Sequence, residues 1–176
     1  IQSWGDVLPN QVINYIECHD NHTLYDKLNL TVKDDNDLKY MSRLGTSIIL
    51  LSQGIPFLHA GQEFLRTKNG VENSYNAPDS INEINWRRKL ENIDTFNYVK
   101  GLISLRKAYS VFRMRTVEEI RNKLKFINTP MNSVGYKLLD NINGDIIVIH
   151  NANKNRIQVD LDHYDRFNII VNKEKS

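Results

Sequence analysis

Residues Val12–Leu28 read VINYIECHDNHTLYDKL. The first part is a short run of β-branched and aromatic residues, and it stops abruptly at His19-Asp20-Asn21-His22. This pattern is typical of a buried parallel strand whose carboxyl end opens into a polar pocket. In barrel enzymes the catalytic residues lie at that end of the strands and on the loops that follow. The spacing alone leaves two interpretations open, a catalytic carboxylate beside two imidazoles and a hydrogen-bonded polar turn.

A strand–helix–strand unit extends from this stretch. The apolar patterns predict a strand over 11–17, a helix over 38–52 and a second buried strand over 55–60. Asp37 can cap the helix, because its side chain can accept from the free N–H groups of the first turn. Four residues at helical spacing predict one buried stripe on this helix: Met41, Leu44, Ile48 and Leu51. The order of elements fits a right-handed crossover between two parallel neighbours.

The pattern changes in the second half of the chain. A long polar loop over 61–92 comes first, followed by a helix over 95–109, and loops this long in compact domains are usually functional. Five short strand-like runs then follow one another, with the hairpin signal Asn143-Gly144 between two of them: 123–128, 133–140, 145–151, 156–161 and 167–171. The predicted fold class is therefore α/β for residues 1–110 and antiparallel all-β for residues 111–176.

Composition excludes several classes of protein. Hydrophobic residues make up 40% and charged residues 25% of the 176 residues, the balance of a globular protein in water. The net charge is +2 and the 23 basic residues are scattered, so no nucleic-acid surface is indicated. One cysteine, Cys18, excludes an internal disulfide and a multi-cysteine zinc site. No apolar run reaches membrane-spanning length. The chain begins with Ile1 close to a core strand, which we interpret as a piece of something longer.

A second informative segment, residues 54–64, reads GIPFLHAGQEF. His59 and Glu63 have the spacing of metal ligands on a helix, but a strand that ends near Gly61 would provide no such face. We therefore predict no metal site here. Glu63 is expected to be a buried supporting residue paired to a cation or to backbone donors, and His59 to be a hydrogen-bonded core histidine.

The two motifs together resemble type I pullulanases, the starch-debranching members of the α-amylase superfamily. The resemblance is carried by IECHDNHTLYDKL at residues 16–28 and by LSQGIPFLHAGQEFLRTKNGVENSYNAPDSIN at residues 51–82. The His-Asp pair is shared by the whole superfamily, whereas the string from Gln62 to Asn82 favours pullulanase over amylase or isoamylase. The resemblance implies that residues 1–110 form the C-terminal part of a (β/α)8 barrel, about the last two strands and helices. Residues 111–176 would then begin a C-terminal antiparallel β-sandwich, which we expect to be truncated in this chain.

The resemblance also implies roles for individual residues. Asp20 matches the carboxylate that stabilises the oxocarbenium-like transition state, and His19 matches the histidine that hydrogen-bonds the same sugar. Asp79, in the loop after the second strand, matches a carboxylate that reaches the hydroxyls of that sugar. Tyr75 and Arg66 belong to the same motif, where they either line the pocket or brace the loop.

The activity implied is hydrolysis of α-1,6-glucosidic branch linkages in pullulan, amylopectin and glycogen-type dextrins, with retention of configuration. The family carries its nucleophile and acid/base on earlier barrel strands, so we expect both to be missing here and this chain alone to be inactive. Two alternatives stay open. The first is another hydrolase of the superfamily, an α-1,4 amylase or an amylopullulanase, and the second is a non-catalytic carbohydrate-binding module.

The expected partner is an α-glucan, with neither nucleic acid nor a membrane involved, and the oligomeric state is not indicated. The chemistry needs no cofactor, and the calcium sites that many superfamily members possess would lie in other parts of the full-length protein. The resemblance suggests a bacterial source. It leaves a secreted and a cytoplasmic location equally open.

Overall fold

The computed structural model describes residues 7–161 and 166–172. Within these residues the strands are β1 (Ile13–Asn14), β2 (Ile55–Pro56), β3 (Leu124–Ile127), β4 (Ser133–Leu138) and β5 (Ile146–Asn151). The α-helices are α1 (Leu24–Asn29), α2 (Asp35–Leu51), α3 (Asp79–Asn82), α4 (Arg87–Glu91), α5 (Ile93–Ala108) and α6 (Val117–Lys123). Single 3-10 turns cover Pro9–Gln11, Gln62–Phe64 and Ser110–Arg113. None of these helices is both long enough and apolar enough to cross a membrane.

The predicted parallel pair is present but much shorter than predicted. β1 and β2 pair in parallel with Ile13 opposite Ile55 and Asn14 opposite Pro56. The N–H groups of Ile55 and Phe57 donate to the carbonyls of Val12 and Asn14, both at 2.8 Å, and Pro56, which has no N–H, lies between them. The prediction that both strands are buried is wrong, since Ile13 is 61% exposed and Ile55 is 44% exposed. The 3-10 turn Pro9–Gln11 packs against β2.

Helix α2 begins earlier than predicted, and a different aspartate caps it. The side chain of Asp34 accepts from the backbone N–H of Asp37, at 2.9 Å, so Asp37 lies in the first turn and is not the cap. The predicted buried stripe is only partly right. Leu51 is buried, but Met41 and Ile48 are 44% and 41% exposed. The buried side of α2 instead includes Leu38, Leu50 and a row of small polar residues that allow close packing.

Two helical regions differ from the prediction. The loop predicted over 61–92 contains the short helices α3 and α4 as well as a 3-10 turn. Helix α6 was not predicted, although its capping box is visible in the sequence. Thr116 Oγ1 accepts from the Glu119 N–H, and Glu119 Oε2 accepts from the Thr116 N–H. Strand-like residues on both sides hide this signal.

The second half of the chain forms an antiparallel sheet in the order β3–β4–β5, as predicted. The turn between β4 and β5 contains Gly144 at φ 86°, and the Asp140 carboxylate accepts from the N–H groups of Ile142 and Asn143. The runs predicted as strands over 156–161 and 167–171 are not strands in the described residues. The described part of this region is therefore one three-stranded sheet, whereas the predicted β-sandwich requires two packed sheets. Residues 162–165 and 173–176 of the predicted sandwich lie outside the described residues.

One apolar core joins the helices to the sheet; we call it the helix–sheet core. Its most buried members come from α2, α5, the turn after α5, α6 and β4: Leu50, Val99, Leu102, Val111, Phe112, Ile120 and Leu138. Tyr136 Oη donates to the Leu51 carbonyl at 2.9 Å and so links the sheet to the end of α2. The predicted boundary between residues 1–110 and 111–176 crosses this core and stays a prediction.

A buried arginine closes the same core at the carboxyl end of α2. The Arg106 guanidinium donates to the carbonyls of Leu50, Ser52 and Gly54 at 2.7–2.8 Å. These are carbonyls that a helix end leaves without helical partners. Burial is the main reason that the pKa of Arg106 lies below its usual value. Arg106 thereby fixes the direction in which the chain leaves α2 and enters β2.

Candidate functional site

The strand-end region, residues 17–30 and 59–82, begins with a buried carboxylate directly after β1. Glu17 is 5% exposed. Its Oε1 lies 3.1 Å from His59 Nδ1, and its Oε2 accepts from the Leu24 N–H at 2.5 Å. Glu17 therefore joins the end of β1 to the segment after β2 and to the start of α1.

His59 continues this connection to Arg66. Arg66 Nη1 lies 3.2 Å from His59 Nε2. Because a guanidinium can only donate, Nε2 accepts and Nδ1 carries the hydrogen that is donated to Glu17. The predicted role of His59 as a hydrogen-bonded core histidine is confirmed by these two contacts. The predicted pairing of Glu63 with a backbone donor is confirmed as well, since its Oε2 accepts from the Gly61 N–H at 3.0 Å, but Glu63 is half-buried and not buried as predicted.

Arg66 also reaches the far side of the loop. It donates through Nη1 to the Ala60 carbonyl at 3.2 Å and through Nη2 to the Asn82 carbonyl at 2.6 Å. Asn82 Nδ2 in turn donates to the carbonyls of Ser74 and Ala77 at 2.7 and 3.0 Å. Arg66 and Asn82 thus close the loop that carries Tyr75 and Asp79.

His19 and Asp20 lie together on the surface. His19 Nε2 is 3.4 Å from Asp20 Oδ1, and the two side chains are 84% and 73% exposed. The next residue, Asn21, has φ 60°, a left-handed conformation that asparagine tolerates better than most residues. The polar cluster is therefore a sharp turn that presents an imidazole and a carboxylate to solvent.

Tyr75 and Asp79 are exposed on the neighbouring loop, with Tyr75 at 84%. Asp79 is the first residue of α3. The described contacts join His19 to Asp20 and join Arg66 to the loop, but none of them joins Asp79 directly to Asp20. The five residues singled out from the sequence thus occupy one strand end and one braced loop.

Lys68 connects those two parts. It is 1% exposed, and its Nζ donates to the His19 carbonyl at 3.2 Å and to the Glu72 carbonyl at 3.1 Å. Its backbone N–H donates to Asp26 Oδ2 at 2.7 Å, and the Thr67 hydroxyl donates to the other oxygen of the same carboxylate. Asp26 is itself buried in α1.

Sequence reasoning did not single out Glu17, Asp26 or Lys68 as site residues. Glu17 carried a usable signal, because a carboxylate at the end of an apolar strand needs a partner when it is buried. Lys68 carried no such signal, since its partners are backbone carbonyls from two separate segments. Over the part of the chain that the structure describes, no three His, Cys, Asp or Glu side chains are grouped to hold a metal ion.

Comparison with known proteins identifies the family. Residues 120–175 match the model of the pullulanase all-beta domain. The chain is 45% identical over 156 residues to pullulanase from Bacillus subtilis (strain 168), covering 85% of this chain and 22% of that relative. It is 30% identical over 164 residues to chloroplastic pullulanase 1 from Arabidopsis thaliana, covering 72% of this chain and 17% of that relative.

Solved structures agree with the sequence matches. The pullulanase of Paenibacillus barengoltzii in complex with maltohexaose and α-cyclodextrin matches with a TM-score of 0.81 and 47% identity, over 84% of this chain and 24% of that one. The type I pullulanase of Bacillus subtilis in complex with maltose matches with a TM-score of 0.79 and 45% identity, over 82% of this chain and 21% of that one. The chain thus spans about a fifth of the length of these relatives. It belongs to the pullulanase family.

Proposed function

We propose that this chain is part of an enzyme that hydrolyses α-1,6-glucosidic branch linkages in pullulan, amylopectin and glycogen-type dextrins with retention of configuration. The observation that carries the proposal is the match over most of this chain to pullulanases at 45–47% identity. The maltohexaose, α-cyclodextrin and maltose held by two of those structures support an α-glucan as the substrate class.

Within that enzyme, Asp20 would stabilise the transition state. Retaining hydrolysis needs a nucleophilic carboxylate and a carboxylic acid beside the scissile bond, and we propose that both lie outside this chain. A further carboxylate that hydrogen-bonds sugar hydroxyls favours the reaction if those bonds strengthen as positive charge develops on the ring. Asp20 is exposed on a turn whose backbone is held by the hydrogen bond from Lys68 to the His19 carbonyl, and this position suits the role.

The other site residues would act beside Asp20. His19 would hydrogen-bond the same sugar, and Asp79 would approach its hydroxyls from the loop. Tyr75 is exposed enough to stack on a sugar ring. The bonds of Arg66 to His59 and to the Asn82 carbonyl favour the loop-bracing role for Arg66.

We also propose that residues 1–110 form the C-terminal part of a (β/α)8 barrel. Parallel sheets normally have both faces covered, yet the apolar side chains around the short β1–β2 pair are exposed at 42–61%: Ile13, Tyr15, Ile55 and Phe57. Further barrel strands would cover these side chains. Residues 111–176 would contribute the all-β domain that follows.

The proposed reaction uses no cofactor. Protonation and nucleophilic attack by carboxylates are sufficient for glycoside hydrolysis. Any calcium ion of the complete enzyme would bind outside this chain.

The test is product analysis with the complete protein that contains this sequence. Incubation with pullulan should release maltotriose, because that product requires cleavage of the α-1,6 bonds. Cleavage of linear amylose without maltotriose release from pullulan would contradict the proposal and indicate an α-1,4 amylase, whereas cleavage of both would indicate an amylopullulanase.

The same assay on this chain alone tests whether the chain is catalytically active by itself. We expect no reducing-sugar release from pullulan, because we propose that the nucleophile and the acid/base lie outside this chain. Maltodextrin binding by this chain, together with an inactive complete protein, would instead support a carbohydrate-binding module.

A further inference from the structure

We propose that Lys68 is a positioning residue that holds the His19–Asp20 turn at a defined place relative to the loop of Tyr75 and Asp79. The proposal rests on the proposed function for its catalytic consequence, and on the described contacts alone for its structural part. Lys68 touches no side chain assigned to the substrate. It would act through the backbone on which those side chains stand.

The first observation is where the two hydrogen bonds of the Lys68 ammonium go. One ends on the His19 carbonyl, which belongs to the peptide group linking His19 to Asp20. The other ends on the Glu72 carbonyl, just before the segment that carries Tyr75 and Asp79. A single side chain therefore bridges the two segments on which four of the candidate substrate-binding residues lie.

The second observation is that the bridge starts from a fixed point. The Asp26 carboxylate accepts from the Lys68 N–H and from the Thr67 hydroxyl, so the backbone of Lys68 is tied to α1. Asp26 lies in the first turn of α1. The side chain of Thr23, the N-cap of this helix, accepts from the Asp26 N–H at 3.1 Å. The Lys68 side chain is thus directed at the turn from a rigid support.

The third observation is the cost of the arrangement. A buried ammonium is unfavourable unless it is paired or hydrogen-bonded, and Lys68 forms no ion pair within residues 7–161 and 166–172. An apolar side chain would fill the same space without the desolvation penalty. A lysine here is explained by its hydrogen bonds to the His19 and Glu72 carbonyls.

The turn itself has few other restraints. Among its described contacts are the surface pair His19–Asp20 and a long Cys18 Sγ to Asp20 carbonyl contact of 3.8 Å, both near solvent. Asn21 holds a left-handed conformation that costs free energy in most residues. The buried bond from the Leu24 N–H to Glu17 joins the two ends of this turn, and the part-buried bond from Lys68 ties the turn to the loop.

A structural test uses this chain and amide hydrogen exchange. Lys68→Met keeps the length of the side chain but removes both hydrogen bonds. Lys68→Arg keeps the positive charge and the N–H donors. Lys100→Met is the matched control, because Lys100 is an exposed lysine of α5. Two amides report on the two segments: the Leu24 N–H donates to Glu17, and the Ala77 N–H donates to the Ser74 carbonyl. In Lys68→Met we expect both amides to exchange about tenfold faster. Lys68→Arg should restore part of the protection, and Lys100→Met should change neither amide.

The sheet amide of Leu139, bonded to the Lys123 carbonyl, reports global unfolding in the same samples. Faster exchange at Leu24 and Ala77 with Leu139 unchanged supports the proposal. Unchanged exchange at Leu24 and Ala77 overturns it. If Lys68→Met does not fold, Thr67→Val tests the same support, because it removes one bond to Asp26 without leaving an ammonium unpaired. Unchanged protection of both amides in Thr67→Val would then overturn the proposal.

The catalytic consequence is measured in the complete protein. If the unmodified protein does not cleave pullulan, the proposed function fails while the exchange result still decides the structural role. If it does cleave pullulan, we expect Lys68→Met to lower kcat about tenfold or more, with KM changed less than about threefold. Lys68→Arg should recover part of kcat and Lys100→Met all of it. A loss seen only in KM, or an unchanged kcat, would contradict the positioning role.

Discussion

The strand-end region and the helix–sheet core differ in the charged side chains that they bury. The first buries Glu17 at 5% and Lys68 at 1% exposure beside apolar side chains such as Phe64 at 1%, whereas the second is filled by residues such as Leu102 and Phe112, both at 0%. Charged hydrogen bonds are directional and therefore fix where a turn or loop points. Apolar burial has no direction and contributes mainly to the free energy of folding. The comparison indicates that geometry and stability reside in different parts of this chain.

Asp20→Asn should have the largest effect, and it tests the proposed role of the strand-end region in catalysis. In the complete protein we expect kcat on pullulan to fall by about 10²–10³-fold, because an amide cannot stabilise the developing positive charge as a carboxylate does. The Asp20 side chain is 73% exposed. The free energy of unfolding should therefore change by less than about 0.5 kcal/mol in urea titrations. A large loss of stability would show that the turn supports the fold.

Leu102→Ala tests the other side of the comparison. Leu102 is fully buried between α5 and the rest of the core, so the change should lower the free energy of unfolding by about 2–5 kcal/mol. The matched control is Leu90→Ala, at a leucine that is 74% exposed, where we expect a change within about 0.5 kcal/mol. Equal effects of the two variants in urea titrations would mean that this core does not carry the stability.

His150 gives the core a pH dependence. Burial lowers the pKa of His150 to about 4, and its ring lies 3.3 Å from Ser47 Oγ and next to the Tyr136 ring. The unfolded chain binds the proton near the usual pKa of about 6.5, so it holds more protons than the folded chain between these values. This contribution to stability is complete above about pH 6.5 and is lost as the pH falls towards 4.

The expected loss over that range is about 3 kcal/mol at most. Urea titrations at pH 7, 6, 5 and 4 would measure it, with His150→Phe as the variant that removes the titrating group. His19→Phe is the matched control, because His19 is exposed on the strand-end turn. If His150→Phe and the unmodified chain lose stability equally over this range, His150 is not the source.

The smallest expected effect separates two neighbouring aspartates at the start of α2. Asp34→Ala removes the cap and should lower the free energy of unfolding by about 1 kcal/mol. Asp37→Ala removes only an exposed ion pair with Lys154, at 2.7 Å, so the loss should be within about 0.5 kcal/mol. Thermal unfolding of both variants measures the difference, and a larger effect at Asp37 would contradict the observed cap.

The comparison also explains which predictions succeeded. Periodicity located α2 and α5, and alternation located the three antiparallel strands, because each depends on residues close together in the chain. The capping error at Asp37 has the same origin. Asp34 and Asp37 are equally suitable as caps by residue type, and the choice between them depends on where the helix packs.

The predicted site was recovered unevenly for a physical reason. His19 and Asp20 stand out because a polar cluster that follows an apolar run is visible within a few residues. Glu17, Asp26 and Lys68 do not, since each has a partner 41 to 49 residues away along the chain.

Local pattern alone therefore established the order β1–α2–β2, helix α5, the antiparallel pairing in the second half and the polar turn at His19–Asp20. The tertiary contacts established how that turn is held and which faces are buried, down to the exposure of Met41 and Ile48. The physical reason is that burial and buried hydrogen bonding are properties of pairs of segments. A lysine that holds two carbonyls from different segments has no signature in either segment by itself.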